Sequence, residues 1–114
     1  MKRKLIGALV GAAAMSLAAG QAVAQKAGAK VSGDMVKIGV LTDMSGVYSD
    51  LGGQGSVTAA QMAIDDFKAQ AKPAWKIELV YADHPNRADV GSKKAREWYD
   101  TQGVDMITDA LNSG

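Results

Sequence analysis

Two hydrophobic patterns alternate along the chain from residue 36 onward. Val36–Thr42, Lys76–Ala82 and Val104–Thr108 are short, mostly apolar runs rich in β-branched residues, a pattern typical of strands buried on both faces of a parallel sheet. Between these runs, apolar residues recur every three or four positions, as on one face of a helix. The order β-α-β-α-β, with connections long enough for crossover helices, predicts a parallel three-stranded α/β fold with right-handed connections.

The two predicted helices each have a recognisable apolar face and end. The first face consists of Val57, Ala60, Ile64, Phe67 and Ala71, and Pro73 ends that helix. The second face consists of Ala88, Gly91, Ala95 and Trp98. Asn86 is predicted to be the N-cap of the second helix, Asp89 places a negative charge in its first turn, and Gly103 stops it. Trp75, near the start of the second strand, and Trp98 are both predicted to be packing residues.

A polar loop follows each predicted strand: Asp43–Gly55, Asp83–Asn86 and Asp109–Gly114. Ligands of parallel α/β sheets bind outside the carboxyl ends of the strands, so these three loops form the predicted ligand-binding edge. Tyr48 lies in the first loop, where no periodic pattern requires it to be buried. The residues leave two roles open for Tyr48: covering a bound small molecule, or occupying an ordinary surface position.

The glycines that end the first loop do not match a nucleotide-binding motif. Gly53 and Gly55 fit the first two positions of G-x-G-x-x-G, but Thr58 stands at the third, and the loop is too long for the tight turn of that motif. The glycines indicate instead a positive φ and a close backbone approach at a helix start, which is compatible with a carboxylate resting on the same amides.

Candidate catalytic and metal-binding residues are few. His84 is the single histidine, and a metal site with Asp83 and Asp89 would need further ligands, so His84 is predicted to be a loop residue. Asp43, Asp83 and Asp109 follow the strands, where aspartate is common in turns and caps, and no nucleophile motif accompanies them. We therefore predict a protein that is not an enzyme, with no catalytic residues, metal or cofactor.

The N-terminal region has the pattern of a secretory signal. Lys2–Lys4 is basic, Leu5–Ala19 is apolar and uncharged, and Ala22–Ala24 supplies the small-x-small pattern of a cleavage site. We predict a signal peptide at residues 1–24, a flexible leader at 25–35 and an α/β unit at 36–114. Beyond residue 24 there are ten basic and twelve acidic residues and no cysteine, which argues against nucleic acid as a partner and excludes disulfides.

Four segments together resemble one known family. They are KIGVLTDMSGVYSDLGGQG (Lys37–Gly55), AAQMAIDDF (Ala59–Phe67), IELVYADHPNRADVGSKKAREW (Ile77–Trp98) and GVDMITDALNSG (Gly103–Gly114). Their order and spacing resemble the periplasmic solute-binding proteins of branched-chain amino acid ABC importers. The resemblance implies a type I periplasmic-binding-protein lobe that is incomplete here: the chain corresponds to an N-terminal fragment of the first lobe, and the second lobe is absent.

The resemblance also implies ligand-binding residues. In the family a serine hydroxyl and backbone N–H groups at a helix start bind the ligand's carboxylate; Ser113 matches that serine, with Asn112 and Gly114 beside it. The first loop, including Ser45 and Tyr48, would form a wall of the pocket. Val47 and Leu51 stand where the family often has proline and an aromatic residue, so a larger or aromatic carboxylate fits as well as leucine, isoleucine or valine.

The implied role is that of a periplasmic solute-binding component of an ABC importer. Its partners would be a small amino acid or related carboxylate and an inner-membrane ABC permease. The alternatives are the extracytoplasmic ligand-sensing domain of a receptor and an exported α/β enzyme. The isolated chain is expected to bind ligand weakly and to aggregate, because three parallel strands leave an edge unpaired.

Overall fold

The computed structural model describes residues 31–114, which form a three-stranded sheet and two helices. The elements are β1 (Met35–Thr42), α1 (Gly53–Ala71), β2 (Lys76–Asp83), α2 (Ala88–Thr101) and β3 (Met106–Thr108). This order confirms the predicted α/β fold class. The predicted signal peptide and residues 25–30 of the predicted leader lie outside the described residues.

All three strands are parallel, and β1 lies in the centre in the order β2-β1-β3. The register pairs Thr42 of β1 with Asp83 of β2, and Val40 of β1 with Thr108 of β3. Because the pairing is in phase, the three strands end at nearly the same level. The loops that follow them therefore start side by side.

The two helices cover opposite faces of the sheet. The connection from β1 to β2 and the connection from β2 back across β1 to β3 run in opposite directions, and right-handed crossovers then place their helices on opposite faces. On the α2 face, Leu41, Trp98 and Val104 form a buried cluster. On the α1 face, Val57 and Ile64 are buried, as their helical spacing predicts.

Trp98 contacts the central strand at a glycine. A Cβ atom at Gly39 would lie 2.5 Å from Cζ3 of the Trp98 indole, closer than real Cβ contacts allow. The absence of a side chain at Gly39 therefore lets α2 approach β1 closely enough to bury the indole, which is 3% exposed. Trp98 is a packing residue, as predicted.

The start of α2 differs from the prediction. The residue in the N-cap position is Arg87, and its side chain makes no capping hydrogen bond. Asn86 lies outside the helix in the left-handed region, with φ at 53°. The prediction of Asn86 as the N-cap was wrong, because its side-chain oxygen accepts a hydrogen bond from Asn112 in the loop after β3.

The third strand begins two residues later than predicted. Gly103 has a φ of 64°, which confirms it as the helix stop, and the Val104 N–H donates to the Trp98 carbonyl at 3.2 Å. Val104 thus belongs to the helix end, and β3 begins at Met106 rather than at Val104. Asp105 contacts the central strand just before β3 begins, donating its N–H to the Lys37 carbonyl of β1 at 2.8 Å.

An open apolar groove of about 580 Å³ runs along the α1 face beside β3. Its walls include Val36 and Ile38 of β1, Ala63 and Phe67 of α1, and Met106 of β3. Phe67 is 41% exposed, and its ring centroid lies 5.9 Å from that of Trp75 at the far end of the sheet from the loops. Within residues 31–114, no helix is long and apolar enough to cross a membrane.

Candidate functional site

Three loops follow the carboxyl ends of the strands, and we call them rim loop 1 (residues 43–52), rim loop 2 (residues 83–87) and rim loop 3 (residues 109–114). The five residues that the sequence singles out for ligand binding all lie in rim loops 1 and 3. Whether those residues share one site depends on how the loops contact each other.

Rim loops 1 and 2 are joined by Asp83. Its Oδ1 accepts a hydrogen bond from the Met44 N–H at 2.8 Å, and its Oδ2 accepts one from the Ser45 hydroxyl at 2.5 Å. The His84 N–H extends the same junction by donating to the Thr42 carbonyl at 3.0 Å. Both oxygens of the Asp83 carboxylate therefore hold the start of rim loop 1 against β2.

Rim loops 1 and 3 meet at Gly52. A side chain at this buried position would overlap the Leu111 side chain and would come within 3.1 Å of Asp109 Oδ2. The neighbouring Gly53 N–H donates to the buried Thr42 hydroxyl at 3.0 Å, which fixes the start of α1 on β1. A side chain at position 52 would therefore displace the Leu111 side chain from the loop-to-helix junction on which rim loop 3 packs.

Rim loops 2 and 3 are joined by two asparagines. The Asn112 side-chain amide nitrogen donates to the Asn86 side-chain oxygen at 2.8 Å and to the Asn86 carbonyl at 3.2 Å. Each rim loop therefore contacts the other two. They form a single continuous edge, which is the arrangement that the sequence predicts.

The buried Asp43 carboxylate holds the backbone of rim loop 1 in place through hydrogen bonds. The Asp43 side chain is fully buried, and its carboxylate accepts hydrogen bonds from the N–H groups of Ser45 (3.3 Å), Gly46 (2.5 Å) and Tyr48 (2.9 Å). Burial by itself raises the pKa of Asp43. The hydrogen bonds from Tyr48, Gly46 and Ser45 and the nearby His84 outweigh burial and lower the pKa of Asp43 below its usual value of 3.8. Asp43 is thus an ionised anchor for the loop backbone.

The loop that Asp43 holds turns sharply and exposes apolar side chains. The Tyr48 carbonyl accepts N–H hydrogen bonds from Leu51 at 2.9 Å and from Gly52 at 3.1 Å, which closes the turn. Val47 is 78% exposed, Leu51 77% and Tyr48 43%. Rim loop 1 therefore presents an aromatic ring and two aliphatic side chains at the predicted ligand-binding edge.

The predicted ligand-binding residues differ in how much of their hydrogen-bonding capacity is already used within the protein. The Ser45 hydroxyl donates to Asp83, so towards a ligand it can act only as an acceptor. The Asn112 side chain donates to Asn86 and accepts the Gly114 N–H at 2.8 Å, so both ends of its amide are engaged. Ser113 lies exposed between Asn112 and Gly114.

His84 is more buried than the sequence suggests for a loop residue. It directly follows β2, is 2% exposed and lies under α2 beside Gly91. Its Nδ1 accepts the Asn86 N–H at 3.1 Å, and among residues 31–114 its buried Nε2 has no hydrogen-bond partner. His84 supports the conformation of rim loop 2 from within the fold.

The described residues contain no arrangement suited to a metal ion. Within residues 31–114, no three histidine, aspartate or glutamate side chains lie close enough together to hold one. Two of the three aspartates at the strand ends act instead on the protein backbone: Asp43 and Asp83 both accept N–H hydrogen bonds from rim loop 1.

Comparison with known proteins gives a consistent result. The family model described as periplasmic binding protein matches residues 35–114. A solved structure of a periplasmic binding protein from Burkholderia mallei is 53% identical, covering 65% of this chain and 20% of that chain, with a TM-score of 0.57. A branched chain amino acid ABC transporter periplasmic ligand-binding protein from Burkholderia xenovorans LB400 is 49% identical, covering 69% and 21%, with a TM-score of 0.62.

These similarities extend over a limited part of the solved proteins. The chain spans about a fifth of the length of the two structures that it matches. No curated protein matches the chain.

Proposed function

This chain belongs to the periplasmic binding protein family, and we propose that it is the beginning of the first lobe of a solute-binding protein that serves an ABC importer. The family implies a solute-binding role in the periplasm, and its members bind ligands rather than transform them. In the proposed complete protein, a second lobe would close over the solute by a hinge motion, and the closed form would dock on an inner-membrane permease.

The observation that carries this proposal is the joining of the three rim loops. Asp83 links rim loops 1 and 2, Gly52 brings rim loop 3 onto rim loop 1, and Asn112 links rim loops 2 and 3. They lie at the carboxyl ends of parallel strands, where α/β folds bind their ligands. A continuous, hydrogen-bonded edge of this kind supplies one largely preformed wall of a cleft.

The chemistry of that wall favours a ligand with a carboxylate and an apolar body. In rim loop 3, the exposed Ser113 offers a hydroxyl and its own backbone N–H, which suit an anion. The adjacent rim loop 1 exposes apolar surface that suits an aromatic or aliphatic group, from Tyr48, Val47 and Leu51. We therefore propose an amino acid or a related carboxylate, with aromatic ligands as acceptable as branched-chain ones.

Calorimetry on the complete protein tests the proposal. The panel consists of leucine, phenylalanine and 3-phenylpropanoate, each compared with its carboxamide. We expect at least one of the three carboxylates to bind with a Kd on the order of micromolar or tighter, with its carboxamide at least about tenfold weaker because the amide lacks the anionic charge. Failure of all three carboxylates to bind would contradict the proposed ligand class.

A further inference from the structure

We infer that Asn86, in rim loop 2, is a positioning residue for the ligand-binding serine of rim loop 3, acting through Asn112. The inference rests on the proposed function, because it concerns how the carboxylate end of that site is held in place. It also changes the role predicted for Asn112, from a ligand contact to a residue that orients its neighbours.

Asn112 makes a capping hydrogen bond across Ser113. Its side-chain oxygen accepts the N–H of Gly114, two residues further along the chain, at 2.8 Å. An N-cap side chain makes this contact, and the residue directly after an N-cap has a backbone N–H that needs an outside partner. Ser113 follows Asn112 directly, and the hydrogen bond from Asn112 to Gly114 restricts the backbone on both sides of Ser113.

The orientation of the Asn112 amide is fixed by its two sets of partners. Its nitrogen faces two oxygens of Asn86, the side-chain oxygen at 2.8 Å and the carbonyl at 3.2 Å. Its oxygen faces the Gly114 N–H, which can only donate. A flipped amide would set oxygen against oxygen and N–H against N–H, so Asn86 selects the rotamer that caps.

Asn86 is itself held by the buried part of the fold. Its N–H donates to Nδ1 of His84 at 3.1 Å, and the Arg87 N–H closes the turn by donating to the His84 carbonyl at 2.7 Å. His84 is 2% exposed, so it is a rigid support. A continuous series of hydrogen bonds thus runs from this imidazole through Asn86 and Asn112 to the backbone around Ser113.

The backbone of Asn86 permits a test variant that lacks the side chain. At a φ of 53°, glycine is tolerated, so Asn86→Gly removes the side-chain acceptor for Asn112 without forcing the turn to change. A second variant, Asn112→Ser, keeps a capping oxygen but is too short to contact Asn86. The double variant Asn86→Gly/Asn112→Ser shows whether the two substitutions break the same link.

The experiment measures the Kd of the tightest-binding carboxylate of the panel and of its carboxamide, for the complete protein and each variant, with thermal unfolding of the unliganded proteins alongside. The ratio of carboxamide Kd to carboxylate Kd isolates recognition of the carboxylate. We expect this ratio to fall about five- to tenfold in Asn86→Gly and in Asn112→Ser, and to fall no further in the double variant, because both substitutions break the same link.

The possible outcomes separate the inference from the proposed function. An unchanged ratio in Asn86→Gly, or losses that simply add in the double variant, would overturn the positioning role while leaving the solute-binding proposal intact. Wild-type protein that binds no carboxylate of the panel would overturn the proposed function itself. A variant that only lowers the unfolding temperature, with its ratio unchanged, would make Asn86 a purely structural residue and would also overturn the inference.

Discussion

Replacing Asp43 with asparagine is expected to destabilise the lobe and to weaken ligand binding by the complete protein on the order of tenfold, since a loop that is no longer preorganised must be ordered on binding. The buried carboxylate accepts N–H groups from Ser45, Gly46 and Tyr48. An asparagine amide would turn its own N–H groups toward at least one of these donors and leave it unsatisfied. Rim loop 1 would then lose the turn that presents Tyr48.

The same substitution is expected to change the response to acid. The pKa of Asp43 is lowered in the folded protein, so its ionised form contributes stability above its ordinary value of 3.8, and that contribution is lost as the pH falls through the folded pKa. Urea unfolding between pH 7 and pH 3 should therefore show a steeper acid-side loss for wild type than for Asp43→Asn.

Asp50→Asn is the matched control, because Asp50 is an exposed carboxylate in the same loop. We expect this variant to keep the wild-type affinity and the wild-type acid response. If Asp50→Asn and Asp43→Asn behaved alike, the role of Asp43 as the anchor of rim loop 1 would have to be abandoned.

Ser113→Ala is expected to weaken carboxylate binding by the complete protein by about 1–3 kcal/mol, the range for a charged group that loses one hydrogen-bond partner. The carboxamide should lose much less, because the interaction with a neutral amide is weaker. Calorimetry with the tightest-binding carboxylate and its carboxamide measures both effects on the same variant.

Two other serines serve as comparisons for Ser113. The Ser45 hydroxyl already donates to Asp83, so Ser45→Ala should affect the carboxylate and the carboxamide about equally. Ser92 lies exposed on α2, and Ser92→Ala should change neither affinity. A loss in Ser45→Ala that is specific for the carboxylate, together with none in Ser113→Ala, would move the anion site to rim loop 1.

The strands, the helices and the order of the loops could be predicted because each depends on a local pattern. The β-branched runs gave all three strands, and Gly103 gave the end of α2. The burial of Asp43 is a continuation of β1, whose last residues are buried on both faces of the sheet. The preference of aspartate for turns predicted a turn residue at this position and gave no indication of its burial.

The junctions between loops could not be predicted, because they depend on residues far apart in the chain. Asn86 and Asn112 are separated by 26 positions, and the preference of asparagine for N-caps gave the wrong role for Asn86. Asn112 does make a hydrogen bond of the capping type, but its partner, the Gly114 N–H, could be identified only from the structure. His84 likewise gave no periodic signal for burial, since it follows the end of β2 and is covered by α2.

We propose that rim loops 1 and 3, which lie side by side, form one wall that grips a single carboxylate ligand. A crystal structure of the complete protein with the tightest-binding carboxylate of the panel tests it most directly. We predict a carboxylate oxygen about 3 Å from the Ser113 hydroxyl or N–H, with the apolar part of the same ligand against Tyr48. A ligand whose carboxylate lies away from Ser113, or whose body does not reach rim loop 1, would contradict the claim.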